Sequence, residues 1–327
     1  MKILFCGEGY SEARRRLAPL LPNDEIAFVD PRQLRSALAG VAVVVPYMTR
    51  IDEAIIGLGE FGLIQQFGVG LETVDVESAT RAGVWVARIP SGKTGNAVSV
   101  AEHALLLMLA LARDLAGGAR SVNARVLGEP AGLALAEKRA CVVGLGAVGS
   151  AVAARLHALG MRVTGVREHA ALGAPDDVGV DRVFGPDALG DALADADFVI
   201  LCVNFGERSR HLIGRAAFGA MKRGAYVINV ARGGLIEPDA LLWALESGIV
   251  AGAGLDVFWE EPVDPEHPIF RHNVIATPHV AGVTDLSYQG IARAFAENVE
   301  RFRRGEAPLH AVNAPQRVRR PAAPRGA

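Results

Sequence analysis

Residues 140–149 read ACVVGLGAVG, and this stretch decides the fold of the second half of the chain. The apolar run Ala140–Val143 is typical of a buried strand, and the helical pattern Ser150–Leu159 follows the glycines. A G-x-G-x-x-G between a strand and a helix indicates a turn that binds the pyrophosphate of a dinucleotide at the helix N-terminus. The glycines allow a tight turn, close approach of the backbone to the phosphates, and close packing of helix on strand. The predicted contacts are Gly144, Gly146, Ala147, Val148 and Gly149.

Short apolar runs alternate with helical patterns on both sides of this turn, and such alternation predicts parallel sheets built from βαβ units. One series of runs precedes residue 96 and a second begins at Arg139. The sequence therefore predicts an α/β protein with two doubly wound parallel-sheet domains. The predicted strands are Lys2–Cys6, Val41–Val45, Leu63–Phe67, Val84–Ala87, Ala140–Val143, Arg162–Val166, Phe198–Val203, Tyr226–Asn229, Gly252–Asp256 and Asn273–Thr277.

Two long helical patterns separate and close these series. Asn96–Arg113 has apolar residues at helical spacing after a plausible capping asparagine, and Gly117-Gly118 is expected to end it. Residues 119–138 are predicted to form a surface arm. The last pattern, Asp285–Arg304, is expected to return and pack on the first domain.

The amino-acid composition and charge limit the kinds of function that the chain can have. The chain has 327 residues, of which 50% are hydrophobic and 21% charged, so two domains with sizeable cores are expected. The formal net charge of −2 argues against nucleic-acid or membrane-surface partners. No apolar run is long enough to span a bilayer, and Met1 directly precedes a strand rather than a signal peptide. A cytoplasmic location is predicted.

Two smaller features are interpreted as structural. The three cysteines, Cys6, Cys141 and Cys202, lie in apolar runs and are expected to be core residues rather than disulfide partners. No metal site is predicted. Four arginines near the C-terminus lie among prolines and alanines, and this tail is expected to be disordered and solvated. They are Arg317, Arg319, Arg320 and Arg325.

The residue after the strand Arg162–Val166 bears on the type of dinucleotide. NAD-binding domains usually place a carboxylate about 20 residues after the glycines, where it binds the adenine ribose. Here Arg167 occupies that place, and a guanidinium suits the 2′-phosphate of NADP. The adjacent Glu168 leaves NAD open, but NADP is favoured.

Three polar segments follow predicted strands of the second series: residues 229–234 (NVARGG), 255–262 (LDVFWEEP) and 277–282 (TPHVAG). The carboxyl ends of strands in a doubly wound sheet lie at one edge, where ligands bind. Reduction of a 2-oxo acid requires a proton donor, for which a histidine is suited, and a neighbouring carboxylate to support its charged form. An arginine would bind the carboxylate of the substrate. Residue types for this chemistry therefore lie at one predicted edge.

Taken together, these motifs resemble the D-isomer-specific 2-hydroxy acid dehydrogenases, a family that includes phosphoglycerate dehydrogenases and hydroxypyruvate/glyoxylate reductases. The resemblance runs from about Val41 to Asn313. It implies a hydride transfer between NAD(P)H and a small 2-oxo or D-2-hydroxy acid. It also implies that His279 is the acid/base, Glu261 its carboxylate partner, Arg232 the substrate-carboxylate binder and Asp256 a second tuning carboxylate.

The same resemblance implies the remaining contacts and the architecture. Val69 and Gly70 would bind substrate through their backbone, together with Arg232 and His279. A Rossmann coenzyme domain, 97–284, would be inserted into a flavodoxin-like catalytic domain, 1–96 with 285–327, and the protein would be a homodimer. Further implied cofactor contacts are Val203, Asn204, Ala231, Arg232, Asp256, His279 and Gly282.

Some residues depart from the family pattern. Arg167 replaces the usual aspartate, and Cys202 and Asn204 stand where many members have His and Pro. Pro46-Tyr47-Met48-Thr49 occupies a loop that carries a phosphate-binding arginine in phosphoglycerate dehydrogenases, so an unphosphorylated substrate with a short uncharged or aromatic side chain is favoured.

Two alternatives stay open at this point. Formate and phosphite dehydrogenases share the Arg and His, although their longer insertions are not visible here. A redox-sensing or corepressor-like scaffold could keep the cofactor site, and often the catalytic residues, without significant turnover.

Overall fold

The computed structural model describes residues 1–7 and 11–319. All pairings between its strands are parallel. The strands are β1 Lys2–Cys6, β2 Glu25–Val29, β3 Val41–Val45, β4 Leu63–Gln65, β5 Trp85–Ala87, β6 Arg139–Val143, β7 Arg162–Val166, β8 Arg182–Phe184, β9 Phe198–Leu201, β10 Ala225–Asn229, β11 Val250–Leu255 and β12 Val274–Ala276. The helices are α1 Ser11–Leu17, α2 Leu34–Ala37, α3 Glu53–Leu58, α4 Val76–Arg81, α5 Asn96–Ala112, α6 Leu115–Ala124, α7 Ala147–Ala158, α8 Leu189–Leu193, α9 Arg215–Ala220, α10 Pro238–Glu246 and α11 Asp285–Arg303.

The strands form two doubly wound sheets. The first has the order β2-β1-β3-β4-β5, which is the flavodoxin-like order. The second has the order β12-β11-β10-β9-β6-β7-β8, a Rossmann order that reverses between β9 and β6. The predicted α/β class with two parallel-sheet domains is confirmed.

The chain divides into two compact units, each with one sheet. Unit 1 comprises Met1–Asn96 and the described residues from Thr284 onward, and unit 2 comprises Ala97–Val283. In unit 1, α11 covers one face of the first sheet, and its fully buried Phe295 lies 5.8 Å from the ring of Phe5 and 5.7 Å from that of Phe67. This packing ties the last helix to the first strands, because its apolar stripe faces their side chains.

Two edge strands, β2 and β8, were not among the predictions. β2 has one buried residue, Val29, and β8 has none, so neither carries the continuous apolar run of a central strand. The helix after the glycine turn begins at Ala147, not Ser150, with Gly146 as its N-cap. Ala147, Val148 and Gly149 therefore form the first helical turn.

The prediction that Gly117-Gly118 ends a helix is wrong. α5 ends at Ala112, and both glycines lie inside the next helix, α6. Asp114 has φ 42° and caps α6, because its carboxylate accepts a hydrogen bond from the Gly117 N–H at 2.9 Å. A Cβ at Gly117 would stand 2.0 Å from the capping carboxylate, so this glycine serves the beginning of a helix.

The arginine tail is also different from the expectation as far as the structure describes it. Arg319 donates to the backbone carbonyls of Ile56 and Gly59 at 2.9 and 2.6 Å, and its own N–H donates to Gly83. The carbonyl of Arg317 approaches Gly83, where a Cβ would lie 2.2 Å from it. Gly83 has no side chain and therefore leaves room for this segment. The prediction of a disordered, solvated tail is wrong for Arg319, whose guanidinium is bonded to the first unit, whereas Arg317 is exposed as expected. Arg320 and Arg325 lie outside the described residues.

None of the helices in residues 1–7 and 11–319 combines the length and the apolar character needed to cross a membrane. The three cysteines are free, and burial raises the pKa of each thiol to about 12.

Candidate functional site

The glycine turn after β6 is shaped by the fold itself at two of its three glycines. Gly144 has φ 100°, and a Cβ there would lie 2.7 Å from the backbone nitrogen of Val203. A Cβ on Gly149 would lie 1.8 Å from the carbonyl oxygen of Gly144. Both positions therefore exclude any larger residue, whether or not a ligand binds.

Gly146 is different, because among residues 1–7 and 11–319 no atom outside its two chain neighbours lies within 4 Å of the place that its Cβ would occupy. Gly146 and Ala147 are exposed, and Val148 is half-buried. The N–H groups of the first turn of α7 have no acceptors within the helix and carry its positive dipole end. The open space in front of them fits the pyrophosphate of a dinucleotide, which would be held by the backbone of residues 144–149.

Arg167 follows β7 and is half-buried. Its guanidinium donates to the carbonyl of Gly173 at 2.8 Å, which holds the side chain at the end of the strand. The neighbouring Glu168 is paired with Arg208, which donates to its carboxylate at 2.7 Å. After β7, the guanidinium of Arg167 thus has no carboxylate partner among the described residues. The carboxylate of Glu168 is already paired with Arg208.

The turn after β10 is built by Asn229, which is buried at the end of the strand. Its side-chain oxygen accepts from the N–H of Ala231 at 3.1 Å, and its side-chain nitrogen donates to the carbonyl of Arg232 at 2.9 Å. Gly233 then approaches the backbone of Phe258 so closely that a Cβ would lie 2.0 Å from it. The half-buried Arg232 is therefore presented beside the segment that follows β11.

The two other predicted catalytic residues meet in the structure. Nδ1 of His279 lies 2.7 Å from a carboxylate oxygen of Glu261, and the other oxygen accepts from the N–H of Phe258 at 3.0 Å. Burial by itself would raise the pKa of Glu261, but the hydrogen bond and charge of His279, the Phe258 N–H and the charge of Arg232 together lower the pKa. Glu261 is thus held as a carboxylate that orients the imidazole. The neighbouring Glu260 is exposed.

Asp256 supports the His279–Glu261 pair indirectly, because it holds the turn that carries His279. Its carboxylate is 1% exposed and accepts hydrogen bonds from the Thr277 hydroxyl at 2.6 Å and from the N–H groups of Val280 and Ala281 at 2.9 Å. The backbone of His279 has φ 55°, a left-handed conformation that is rare outside glycine, and its N–H donates to the Asp256 carbonyl.

Sequence reasoning missed one member of this network. His103 lies on α5 with Nε2 2.8 Å from the Thr277 hydroxyl. Because that hydroxyl donates its proton to Asp256, we infer that His103 is the donor of the second bond. No motif of the sequence includes His103, and 174 residues separate it from Thr277.

The remaining predicted residues are distributed over both units. In unit 2, the backbone of Val203 lies against Gly144 of the glycine turn. The carbonyl of Asn204 accepts a hydrogen bond from the Ser209 hydroxyl at 2.9 Å, and Gly282 follows the turn of His279. Val69 and Gly70 are half-buried residues of unit 1 that follow β4.

The Rossmann sheet and its glycine turn define a dinucleotide-binding domain, and comparison with known proteins identifies its family. Residues 105–281 match the model described as "D-isomer specific 2-hydroxyacid dehydrogenase, NAD binding domain". The chain belongs to the D-isomer-specific 2-hydroxyacid dehydrogenase family, as the motifs indicated.

Individual relatives agree with this assignment. The chain is 35% identical to D-3-phosphoglycerate dehydrogenase 2, chloroplastic, of Arabidopsis thaliana, over 88% of this chain and 46% of that protein. It is 33% identical to glyoxylate reductase of Pyrococcus furiosus, over 83% of this chain and 82% of that protein. The solved structure of the TT0316 protein from Thermus thermophilus matches with a TM-score of 0.82 and 29% identity, covering 95% of this chain and 100% of that one. This chain spans about half the length of the phosphoglycerate dehydrogenases that it matches first.

The contrast between the glycines predicts separable effects of two substitutions. We expect Gly146→Ala to leave the melting temperature unchanged and to weaken dinucleotide binding at least about tenfold, because the methyl group enters only the space left for phosphate. Gly149→Ala should lower the melting temperature, because its methyl group collides with the Gly144 carbonyl. Thermal unfolding and calorimetric titration with NADPH and NADH measure both effects. Unchanged affinity in the Gly146→Ala variant would contradict this assignment.

Proposed function

We propose that this protein is an NAD(P)-dependent 2-oxo acid reductase, or D-2-hydroxy acid dehydrogenase in the reverse direction. The observation that carries the proposal is the His279–Glu261 pair, bonded at 2.7 Å at the same sheet edge as Arg232 and the glycine turn. A nicotinamide cofactor, when bound, supplies the hydride.

The pair supports a defined path for the proton. Glu261 accepts from Nδ1 of His279, so a protonated imidazole has its second proton on Nε2. Transfer of that proton to the carbonyl oxygen of a 2-oxo acid leaves a neutral imidazole with its remaining proton on Nδ1, still bonded to Glu261. The hydroxy acid formed keeps the proton on its new hydroxyl group, and oxidation reverses this transfer.

Arg232 would bind the carboxylate of the substrate, because a guanidinium carries five N–H donors, of which Nη1 donates to the Ala231 carbonyl at 2.7 Å, and the Asn229 turn sets its position. Family resemblance adds the backbone of Val69 and Gly70 as a second set of donors. In unit 2, Asp256 would act mainly through the turn that it holds, because its own oxygens already accept three hydrogen bonds.

We propose an unphosphorylated substrate with a short uncharged or aromatic side chain. The segment Pro46–Thr49 has no cationic side chain, and the next residue, Arg50, is 84% exposed with its guanidinium 4.0 Å from Asp52. The ring of Tyr47 packs 5.8 Å from Phe5 and 6.1 Å from Phe67. The lack of a cation in this segment favours glyoxylate, pyruvate, hydroxypyruvate or phenylpyruvate over a phosphoglycerate.

The first test is absorbance at 340 nm with NADPH or NADH and each of these four acids. We expect His279→Gln to lower kcat by about 10²–10⁴-fold, the usual range for loss of a general acid, and to change the cofactor Kd by less than about threefold. Calorimetric titration measures the affinity of both proteins. Surviving turnover with lost cofactor affinity would reverse the assigned role.

Other outcomes of the same assay distinguish the alternatives. Tight cofactor binding without turnover of any 2-oxo acid would favour the redox-sensing or corepressor-like scaffold. Direct reduction of NAD(P) by formate or phosphite would favour that other branch of dehydrogenases.

We propose NADP as the preferred cofactor, because Arg167 follows β7 where a carboxylate would favour NAD, and Glu168 is already paired with Arg208. We expect Arg167→Asp to shift the NADPH/NADH ratio of kcat/KM towards NADH at least about tenfold, since it replaces a phosphate-binding cation by a ribose-binding carboxylate. Initial rates with both cofactors measure the ratio. An unchanged ratio in this variant would exclude Arg167 as the determinant.

We also propose a homodimer formed through the coenzyme unit. Large apolar side chains of residues 106–133 are exposed, which is unusual for a monomer surface. They are Leu106, Leu109, Leu115, Val122, Val126, Leu127 and Leu133.

Sedimentation analysis tests the homodimer. We expect a dimer for the wild-type protein and a monomer for Leu127→Asp, because a buried charge would oppose association of a side chain that is 98% exposed in one chain. Leu172→Asp, at an exposed leucine outside this segment, is the control and should remain dimeric. A monomeric wild-type protein would contradict the proposal.

A further inference from the structure

Gln66 lies directly after β4, and no motif drew attention to it. Its side chain is 6% exposed, although a polar amide is rarely buried unless its hydrogen bonds are satisfied. It stands between two loops of unit 1: the segment Pro46–Thr49 after β3 and the segment Phe67–Gly70 after β4. These are the two loops of this unit to which the proposed function assigns substrate contacts.

The amide of Gln66 bonds to both loops with all of its capacity. Its oxygen accepts from the N–H groups of Tyr47 at 3.2 Å and Phe67 at 3.1 Å. Its nitrogen donates to the carbonyls of Tyr47 at 2.9 Å and Gly70 at 2.6 Å. Two acceptors and two donors are what a primary amide offers, so the orientation of the group is determined.

Tyr47 is the residue that depends most on this amide. Its φ is 51°, a left-handed conformation that is unfavourable for residues other than glycine. Both its backbone N–H and its carbonyl bond to the same side chain, so Gln66 compensates this conformation directly. The conformation in turn places the Tyr47 ring against Phe5 and Phe67.

We propose that Gln66 is a substrate-positioning residue: it holds the loop of Tyr47 and the loop of Val69 and Gly70 at a fixed spacing. One loop offers backbone donors for the carboxylate of a 2-oxo acid, and the other is the segment without a cation that the proposed function places beside the side chain of the substrate. The amide therefore sets how both ends of the substrate are recognised, without touching the reacting atoms. This inference rests on the proposed function.

Its neighbour Gln65 is a matched control. It is fully buried, and it bonds to Asn298 at 2.8 Å through its oxygen and to the carbonyls of Gln66 and Ala87 through its nitrogen. None of these bonds reaches either loop. The two glutamines are adjacent and both are hydrogen-bonded, Gln66 through four side-chain bonds and Gln65 through three, and they differ in whether they join the substrate loops.

The experiment compares Gln66→Met, Gln66→Glu and Gln65→Met in the full chain. Methionine keeps the size and loses all four bonds, whereas glutamate keeps the two acceptors and loses both donors when ionised. We expect the KM for the best 2-oxo acid to rise at least about tenfold in both Gln66 variants, with a smaller change in kcat. The cofactor Kd should stay within about twofold, because the cofactor residues lie in unit 2. Gln65→Met should lower the melting temperature and leave the KM within about twofold of wild type.

Each other outcome overturns the inference. Equal rises in KM for Gln66→Met and Gln65→Met would reduce Gln66 to a core residue. An unchanged KM in both Gln66 variants would show that the spacing of the loops does not set substrate binding. Parallel losses of cofactor affinity and turnover would indicate general disruption. Failure of the proposed function is distinguished from these outcomes by the wild-type protein, which would then turn over none of the acids.

Discussion

The candidate active site depends on one buried carboxylate. Asp256 accepts three hydrogen bonds from the segment 277–281, and these bonds fold that segment into a turn with His279 in a left-handed conformation. A buried anion is tolerated only when donors surround it, so the carboxylate and the turn stabilise each other. The imidazole can then reach Glu261, which follows the same strand as Asp256. The His279–Glu261 pair is therefore a consequence of how two adjacent parallel strands end.

Close backbone approaches supply the second constraint. Gly233 lies against Phe258, and Gly144 lies against Val203, so the loops after β10, β11, β9 and β6 can crowd together at one edge of the sheet. In the part of the chain that the structure describes, no residue beyond its chain neighbours approaches the Cβ position of Gly146, so packing does not require a glycine there. Gly144 and Gly149 are thus required by packing, whereas Gly146, at most three residues from either, faces open space. Only the surroundings of these glycines distinguish them.

Unit 1 uses the same arrangement with an amide instead of a carboxylate. Gln66 joins the loops that follow β3 and β4, just as Asp256 joins the ends of two strands in unit 2. In both units a single buried polar side chain satisfies several backbone groups and fixes loops that carry the proposed substrate contacts. Such networks are stable only when every member is paired, which explains why Asp256 and Gln66 are so deeply buried.

Local pattern was sufficient for the parallel-sheet class, for most central strands and for the glycine turn, because apolar runs and glycine spacing are properties of contiguous residues. β3 was predicted at its observed bounds, since all five of its residues are buried. The edge strands β2 and β8, the helix across Gly117-Gly118 and the packing of Arg319 were not predicted, because partial burial and long-range contacts leave no period in the sequence.

The sequence by itself determined which residue types stand at the ends of the strands: an arginine, two carboxylates and a histidine in family-specific motifs. How these residues are used depends on contacts between distant parts of the chain. The fold pairs His279 with Glu261 across 18 residues and brings His103 to Thr277 across 174 residues. It also places the carboxylate of Asp256 where it accepts hydrogen bonds from the backbone of the His279 turn. Hydrogen bonds between separate loops are fixed by the packing of sheets and helices, and a linear pattern carries no record of that geometry.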